Sequence, residues 1–210
     1  MSNVEPVPIA ILAKAPIPGL AKTRLAASLG LQGAARLQER LIVRTLETAC
    51  AAATGPVRLW AAPDESHFRE LATRFHVDLA AQPDADLGAR MLAAFAAATP
   101  ALVIGTDCPA LEARHLREAA DLLRGGNDAV IIPAEDGGYV LIGLRWPQPA
   151  LFRSMQWGVP GVMEETRGRA RRLGLAVREL APLWDVDVPA DLERMREAGL
   201  GELVPLSTSP

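Results

Sequence analysis

The regular alternation of short apolar segments with longer amphipathic segments is the feature that most constrains the fold of this chain. The run "PIAILA" at residues 8–13 is continuously apolar, as in a strand buried on both faces of a sheet. Leu116, Ala119, Ala120 and Leu123 repeat with the period of a helix. Strands are predicted at residues 8–13, 57–62, 77–81, 101–105, 128–133, 139–144 and 176–180. Helices are predicted between most of these strands, among them residues 31–53 and 65–75, and a last helix begins at Pro189. This order predicts an α/β protein with parallel β-α-β units and helices on both faces of the sheet.

Length, charge and cysteine content narrow the class of protein. The chain of 210 residues has the length of one domain, residues 1–210. Its formal net charge of −3 argues against nucleic acid as a partner. Two cysteines are too few for a disulfide framework, which favours a cytoplasmic location. The start "MSNVEPVP" lacks the basic region of a signal peptide, and no apolar segment predicts a membrane span.

Four segments of unusual composition follow predicted strands. They are residues 14–24, 82–90, 106–109 and 135–139. In α/β sheets, ligands bind at the carboxyl ends of the strands, where loops lead into helices. We therefore expect Lys22, Arg24, Asp107 and Asp136 to line one cleft at one edge of the sheet.

The first of these segments, "KAPIPGLAKTR", contains the only two lysines among 22 basic residues. A lysine ammonium contacts phosphate as a point charge, which the planar arginine side chain does not reproduce. The segment is not a Walker A loop, because Ala21 stands where that motif has the glycine before its lysine. We predict a proline-stiffened turn that brings Lys14, Lys22 and Arg24 to an anion near a helix N-terminus. The alternative is a surface loop with solvated cations.

Aspartates near two predicted helix starts are candidate metal ligands. Asp107 follows the strand at 101–105, and Asp185 and Asp187 lie in "WDVDVPADL". One or two carboxylates together with substrate phosphates form the usual Mg²⁺ site. The sequence therefore predicts Mg²⁺ or Mn²⁺ bound by Asp107 and by one of the two later aspartates. The alternative is that Asp107 and Asp187 cap helices, since a proline suited to a helix start follows each of them.

The remaining two segments each allow a functional and a structural interpretation. In "PAEDGGYVLIGL", Gly137 and Gly138 favour a tight turn or the close approach of a ligand. Glu135 and Asp136 either face an acceptor or are solvated residues of a hairpin turn. In "QPDADLGARM", the acids and Arg90 either bind a ligand or precede and begin a helix whose N-terminus favours acidic residues.

Five motifs together resemble those of a bacterial family of nucleotide-diphospho-sugar transferases with the glycosyltransferase-A fold. They are, in order, "KAPIPGLAKTRL", "DLGARM", "VIGTDCPAL", "PAEDGGYVLIGL" and "WDVDVPADL", and the likeness extends over about residues 8–198. The chain is also similar to the small nucleotidyltransferases of this fold. The resemblance implies a three-layer α/β/α sandwich around a mostly parallel mixed sheet, with a nucleotide over the loop after the first strand. It also implies a divalent metal on Asp107, often joined by Asp187.

The function implied by the resemblance is a metal-dependent transferase that acts on a nucleoside triphosphate or nucleotide-sugar and a small-molecule acceptor. Glycosyltransferases of this fold usually carry Asp-x-Asp, whereas "GTDCP" supplies one aspartate, which favours nucleotidyl transfer over glycosyl transfer. A nucleotide-binding regulatory module without turnover is the third possibility.

Each candidate site residue thus has a predicted role. The predicted catalytic residues are Lys22, Arg24, Asp107 and Asp136. The predicted nucleotide-binding residues are Lys14, Pro18, Gly19, Lys22, Thr23, Arg24, Asp86, Gly88 and Arg90. The predicted acceptor-binding residues are Glu135, Asp136, Gly137, Gly138 and Tyr139. The predicted metal ligands are Asp107 and Asp187.

Overall fold

The computed structural model describes residues 4–63 and 66–205. Within them, the strands are Ile9–Lys14 (β1), Val57–Ala62 (β2), Asp78–Ala81 (β3), Ala101–Ile104 (β4), Ala129–Pro133 (β5), Tyr139–Leu144 (β6) and Val177–Glu179 (β7). The α-helices are Ala26–Ala52 (α1), Ser66–Phe75 (α2), Leu87–Ala97 (α3), Ala113–Arg124 (α4), Pro149–Phe152 (α5), Val162–Arg172 (α6) and Pro189–Glu197 (α7). Short 3₁₀ helices cover Thr23–Leu25 and Gly201–Leu203. The first three residues of "MSNVEPVP", and Glu65 at the predicted start of α2, lie outside the described residues.

The seven strands form one mixed sheet in the order β3-β2-β1-β4-β6-β5-β7. Strand β6 is antiparallel to both of its neighbours, β4 and β5, and all other neighbouring pairs are parallel. The carboxyl ends of β1, β4 and β5 and the start of β6 therefore lie at the same edge of the sheet. Strands β2 and β3 run parallel to β1 and end at this edge too, so it carries all four segments that the sequence singles out.

Successive side chains of a strand point to opposite faces of the sheet, and in the central strands the side chains on both faces are apolar. Helices therefore cover both faces of the sheet. Ile9 and Ile11 of β1 pack on one face with apolar residues of α1, α2 and α4. Ala10, between them, packs on the other face with apolar residues of α3, α5 and α6. The predicted three-layer α/β/α sandwich with a mostly parallel mixed sheet is confirmed. Every helix within residues 4–63 and 66–205 is too short or too polar to cross a lipid bilayer.

Helix α7 joins the molecule through a third apolar cluster. Leu192 and Met195 of α7 are buried in a cluster that also includes Leu37 and Leu41 of α1. Burial of one such side chain contributes about 1.5–3 kcal/mol. Val186 belongs to the same cluster, so this packing fixes the chain just before α7.

The structure departs from the sequence-based boundaries at two helix starts. Helix α1 begins at Ala26 and not at the predicted Leu31, and its ladder is interrupted at Gly30 with φ 68° and ψ 166°. The apolar period begins only after this break, which explains the predicted start. Helix α4 begins at Ala113 and not at Pro109, because a turn at residues 109–110 precedes it.

Candidate active site

A cavity of about 800 Å³ opens at the sheet edge where β1 and β4 end and β6 begins. The loop after β1, the loop after β4, the β5–β6 hairpin and the segment before α7 all contribute to its lining. The structure brings together most of the predicted site residues here: Lys14, Lys22, Thr23, Arg24, Asp107, Asp136, Gly138, Tyr139 and Asp187. The four residues that we expected in one cleft thus line one cavity, together with the second lysine of the chain, Lys14.

Lys22 lies at the centre of the charged part of this cavity. Its ammonium contacts Asp107 Oδ1 at 2.6 Å and Asp187 Oδ1 at 3.3 Å, and donates to the carbonyl oxygen of Val186 at 2.6 Å. The Lys22 side chain is only 5% exposed, whereas those of Asp107 and Asp187 are 48% and 46% exposed. Burial opposes the charged ammonium, but the two carboxylates outweigh it and raise the pKa of Lys22. The three oxygens therefore form a position for a cation between the loop after β4 and the segment before α7.

The helix-capping alternative for the two aspartates is wrong. The residue that precedes α4 is Glu112, five positions after Asp107. Helix α7 is preceded by Val188, and the backbone N–H groups of Asp187 and Val188 both donate to Asp191 Oδ2 at 2.7 Å. The side chains of Asp107 and Asp187 thus have no capping role, and both contact the Lys22 ammonium.

The site contains enough oxygen ligands for a divalent metal only if a substrate completes the shell. Asp107, Asp187 and the Val186 carbonyl are all oxygen donors, the type that Mg²⁺ and Mn²⁺ prefer. Among the described residues, no group of three or more His, Cys, Asp or Glu is arranged to hold a metal alone. Two carboxylates with additional phosphate or water oxygens are the arrangement that Mg²⁺ usually adopts. The donor set therefore fits a metal that binds together with phosphates.

Asp185 and Cys108 also line the cavity. Burial, and then the carboxylates of Asp107 and Asp136, raise the pKa of Asp185 to about 7. Burial, and then Asp185, raise the pKa of the Cys108 thiol to about 12, so this cysteine is protonated at neutral pH. Of the two later aspartates, Asp187 is the one whose carboxylate contacts the Lys22 ammonium, whereas Asp185 is half-buried and has the raised pKa.

Several predicted nucleotide-binding residues have structural roles outside the cavity lining. Asp86 caps α3 by accepting from the N–H of Ala89 at 2.8 Å. Arg90 donates to the carbonyl oxygen of Ala85 at 2.8 Å. Gly88 allows close packing, because a Cβ there would lie 2.8 Å from Trp157 Cζ2. Pro18 and Gly19 also lie outside the lining, in the turn that leads to Lys22.

Two of the predicted acceptor-binding residues support the hairpin turn instead of lining the cavity. Glu135 forms a bidentate ion pair with Arg194 of α7, with distances of 2.6 and 2.8 Å. Gly137, at φ 93°, lies directly against the carbonyl of Pro160. Asp136 does line the cavity, and its Oδ1 accepts from the N–H of Gly138 at 2.9 Å, which orients the carboxylate.

Gln38 of α1 positions two loops of the site and was missed by the sequence reasoning. This buried side chain donates to Thr106 Oγ1 at 3.1 Å and to the carbonyl oxygen of Lys14 at 3.3 Å. It thereby connects the loops that follow β1 and β4. A polar residue at an apolar position of the α1 stripe, between Leu37 and Leu41, was the signal that could have revealed it.

Substituting Gly137 by alanine should destabilise the protein, because the added Cβ would lie 2.0 Å from the carbonyl oxygen of Pro160 and φ is 93°. We expect the free energy of unfolding to fall by about 2–4 kcal/mol, measured by chemical denaturation. Gly161→Ala is the matched control, since no atom lies within 4 Å of its added Cβ. Equal stability of the two variants would contradict the close contact.

Solved structures define the class of protein to which this fold and cavity correspond. A protein of Desulfovibrio desulfuricans G20 assigned as a nucleotide-diphospho-sugar transferase is 31% identical, with a TM-score of 0.79, over 87% of this chain and 82% of that chain. The 4-diphosphocytidyl-2C-methyl-D-erythritol synthase of Anaerococcus prevotii DSM 20548 is 12% identical, with a TM-score of 0.62 over 92% of this chain and 96% of the other. Glucosyl-3-phosphoglycerate synthase of Mycobacterium tuberculosis, solved with Mn²⁺ and UDP, is 13% identical, with a TM-score of 0.55 over 96% of this chain and 81% of the other. The class is that of the nucleotide-diphospho-sugar transferases, as the motifs indicated, and the two more distant structures share its glycosyltransferase-A fold.

Within this class, the chain belongs to the bacterial family DUF2064. The model of that family, described as an uncharacterized protein conserved in bacteria, matches residues 45–159. Among curated proteins, none matches the sequence. The matched residues include the loop after β4 and the β5–β6 hairpin, which carry Asp107 and Asp136.

Proposed function

We propose that the protein is a divalent-metal-dependent transferase that acts on a nucleoside triphosphate or nucleotide-sugar and a small-molecule acceptor, with nucleotidyl transfer favoured. The observation that carries this proposal is the cation position formed by Asp107, Asp187 and the Val186 carbonyl. It lies in a cavity that also contains the exposed cations Lys14 and Arg24. A single cavity thus offers a metal position and side chains for phosphate. Two free cysteines support a cytoplasmic location.

Asp107 and Asp187 would hold the Mg²⁺ or Mn²⁺, which when bound would neutralise charge on the phosphates. Lys14 and Arg24 carry positive charge at the cavity wall, and within the described residues neither side chain is committed to an ion pair. We expect them to bind the phosphates and to offset the charge that develops on the leaving group. Little covalent chemistry is asked of the protein in such a transfer, because positioning and charge supply most of the rate.

Asp136 is the residue that we expect to face the acceptor. Its carboxylate lines the cavity and is held by the N–H of Gly138. In nucleotidyl transfer, the acceptor oxygen forms a bond to the α-phosphorus while the bond from that phosphorus to the bridging oxygen breaks. Pyrophosphate leaves, and Asp136 accepts the proton of the acceptor hydroxyl.

Glycosyl transfer from a nucleotide-sugar is the second candidate, favoured by the assigned class of the relative that is 31% identical. The acceptor oxygen would then bond to the anomeric carbon, and a nucleoside diphosphate would leave. The two reactions differ in the group released, whereas a regulatory module would release neither.

The test is to screen nucleoside triphosphates and nucleotide-sugars for thermal stabilisation with and without Mg²⁺ or Mn²⁺, because a ligand bound only by the folded state raises its apparent stability. Each stabilising ligand is then incubated with candidate acceptors. Release of pyrophosphate is expected, and release of a nucleoside diphosphate would establish glycosyl transfer instead. Metal-independent binding, or tight binding with no product in long incubations, would refute the proposed function.

A further inference from the structure

We propose that Lys22 is a displaceable counter-ion, whose ammonium occupies the metal position in the metal-free protein and turns to the phosphates of the nucleotide when a metal enters. This inference rests on the proposed function, because it concerns the same metal position. A divalent metal and the Lys22 ammonium would thus exclude each other from the position between Asp107 and Asp187. Lys22 would therefore couple metal binding to nucleotide binding.

The contacts of Lys22 are those of a cation in an oxygen cage. Two carboxylate oxygens and the Val186 carbonyl oxygen surround Nζ at 2.6–3.3 Å. The side chain is 5% exposed, so the ammonium has exchanged most of its water for these three oxygens. A Mg²⁺ or Mn²⁺ ion bound by both carboxylates would need the same space and the same lone pairs.

The backbone of Lys22 indicates that this inward orientation is imposed on the loop. Lys22 has φ 48° and ψ 42°, in the left-handed region that residues other than glycine rarely adopt. Such a conformation is strained in a residue other than glycine and persists where the surroundings determine it. Gly19, with φ 82°, precedes Lys22 by three residues, and the helix break at Gly30 follows it. Leu25, three residues after Lys22, is fully buried, so release of the ammonium would come from rotation of the long lysine side chain and not from movement of the whole segment.

The charges around Lys22 explain why an occupant is needed. Asp107, Asp136, Asp185 and Asp187 all line the cavity, and Lys22 is the basic residue buried among them. Departure of the ammonium alone would leave these carboxylates to repel one another. A divalent ion brings one more positive charge than the ammonium and so offsets more of this repulsion, and the phosphates give the released ammonium a new partner. Metal and nucleotide should consequently favour each other's binding, and this coupling is reciprocal.

The test measures Mn²⁺ binding to the nucleotide-free protein, by following free Mn²⁺ in titrations with electron paramagnetic resonance. Removal of the ammonium in Lys22→Met should tighten Mn²⁺ binding by roughly tenfold or more, because the metal no longer competes with a resident cation. Lys14→Met is the matched control. It removes an equal charge from the same cavity, but Lys14 is exposed and absent from the ion pairs of the cluster, so Mn²⁺ affinity should change little. Equal or weaker Mn²⁺ binding by Lys22→Met would overturn the proposal.

A second measurement keeps the test decisive if Lys22→Met is unstable without metal. Thermal unfolding of the variant in a chelator and in Mn²⁺ should show a larger metal-dependent stabilisation than in the unmodified protein. Lys22→Gln, which keeps a polar donor without charge, should behave in the same direction. If Mn²⁺ stabilises neither variant more than the unmodified protein, Lys22 does not occupy the metal position.

These outcomes are independent of the test of the proposed function. Tighter Mn²⁺ binding by Lys22→Met supports the displacement even if no nucleotide is turned over. Conversely, metal-dependent transfer with unchanged Mn²⁺ affinity of the variant would support the function and refute the displacement.

Discussion

Asp107→Asn should lower transfer activity by about 100-fold or more and also destabilise the metal-free protein by about 1–3 kcal/mol. The loss of activity follows from the loss of a carboxylate ligand at the metal position. The loss of stability follows from the ion pair with Lys22, since the substitution would leave a buried ammonium with one carboxylate and one carbonyl. Breaking a fully buried pair costs about 3–5 kcal/mol, and the exposure of Asp107 reduces that figure here.

Denaturation curves in a chelator and metal-dependent nucleotide binding provide the measurements for Asp107→Asn. Asp84→Asn is the control, because Asp84 is exposed and outside the cavity lining. In the double variant with Lys22→Met, the stability loss due to Asp107→Asn should shrink, since the two residues interact directly. Unchanged stability together with unchanged metal-dependent binding would remove Asp107 from the site.

From the sequence alone, a lost metal ligand at Asp107 would be expected to cost the metal-free protein little. The structure reverses that expectation, because Asp107 contacts Lys22. In sequence, Lys22 lies 85 positions before Asp107 and 165 positions before Asp187. No local pattern predicts a contact over that distance. What the sequence could predict was convergence, because strand ends of parallel β-α-β units meet at one edge of the sheet. It predicted a common cleft, but not which charges neutralise each other within it.

The surroundings of Lys22 also change the expected effect of Lys22→Arg on stability. The sequence predicts that Lys22→Arg weakens nucleotide binding and leaves folding unchanged. Because the side chain is 5% exposed and held by three oxygens, a bulkier guanidinium does not fit without displacing the loop. A loss of stability is therefore expected as well.

The fold was more predictable than the site because it depends on periodic patterns. The strands Val57–Ala62 and Tyr139–Leu144 have the predicted bounds, and α7 begins at Pro189 as predicted. The apolar run of β6 is the same in either direction, but the hairpin turn that was one of the two alternatives for Glu135 and Asp136 implies the antiparallel pairing with β5 that the structure has. The residues Asp86 and Arg90 illustrate a limit at the site, since an acid before a helix has the same sequence signal whether it caps or binds a ligand.

Asp185→Asn should make the metal-free protein more stable above neutral pH, with a benefit that disappears in acid. Burial and neighbouring carboxylates raise the pKa of Asp185 to about 7, from an ordinary value of 3.8. Between these two pH values the folded state holds a proton that the unfolded state has lost, so the stability due to Asp185 falls as pH rises. It is fully present below about pH 4 and lost once the pH exceeds the folded pKa of about 7.

The size of this effect follows from about 1.4 kcal/mol for each unit of pKa difference. The advantage of Asp185→Asn over the unmodified protein should grow by about 2–3 kcal/mol between pH 5 and pH 8 and then level off. Denaturation curves in a chelator across this pH range provide the measurement. Asp84→Asn, which removes an exposed acid outside the cavity lining, should show no such trend. If the advantage of Asp185→Asn is constant from pH 5 to pH 8, Asp185 ionises with an ordinary pKa. Its burial and the neighbouring carboxylates of Asp107 and Asp136 would then not disfavour its charged form.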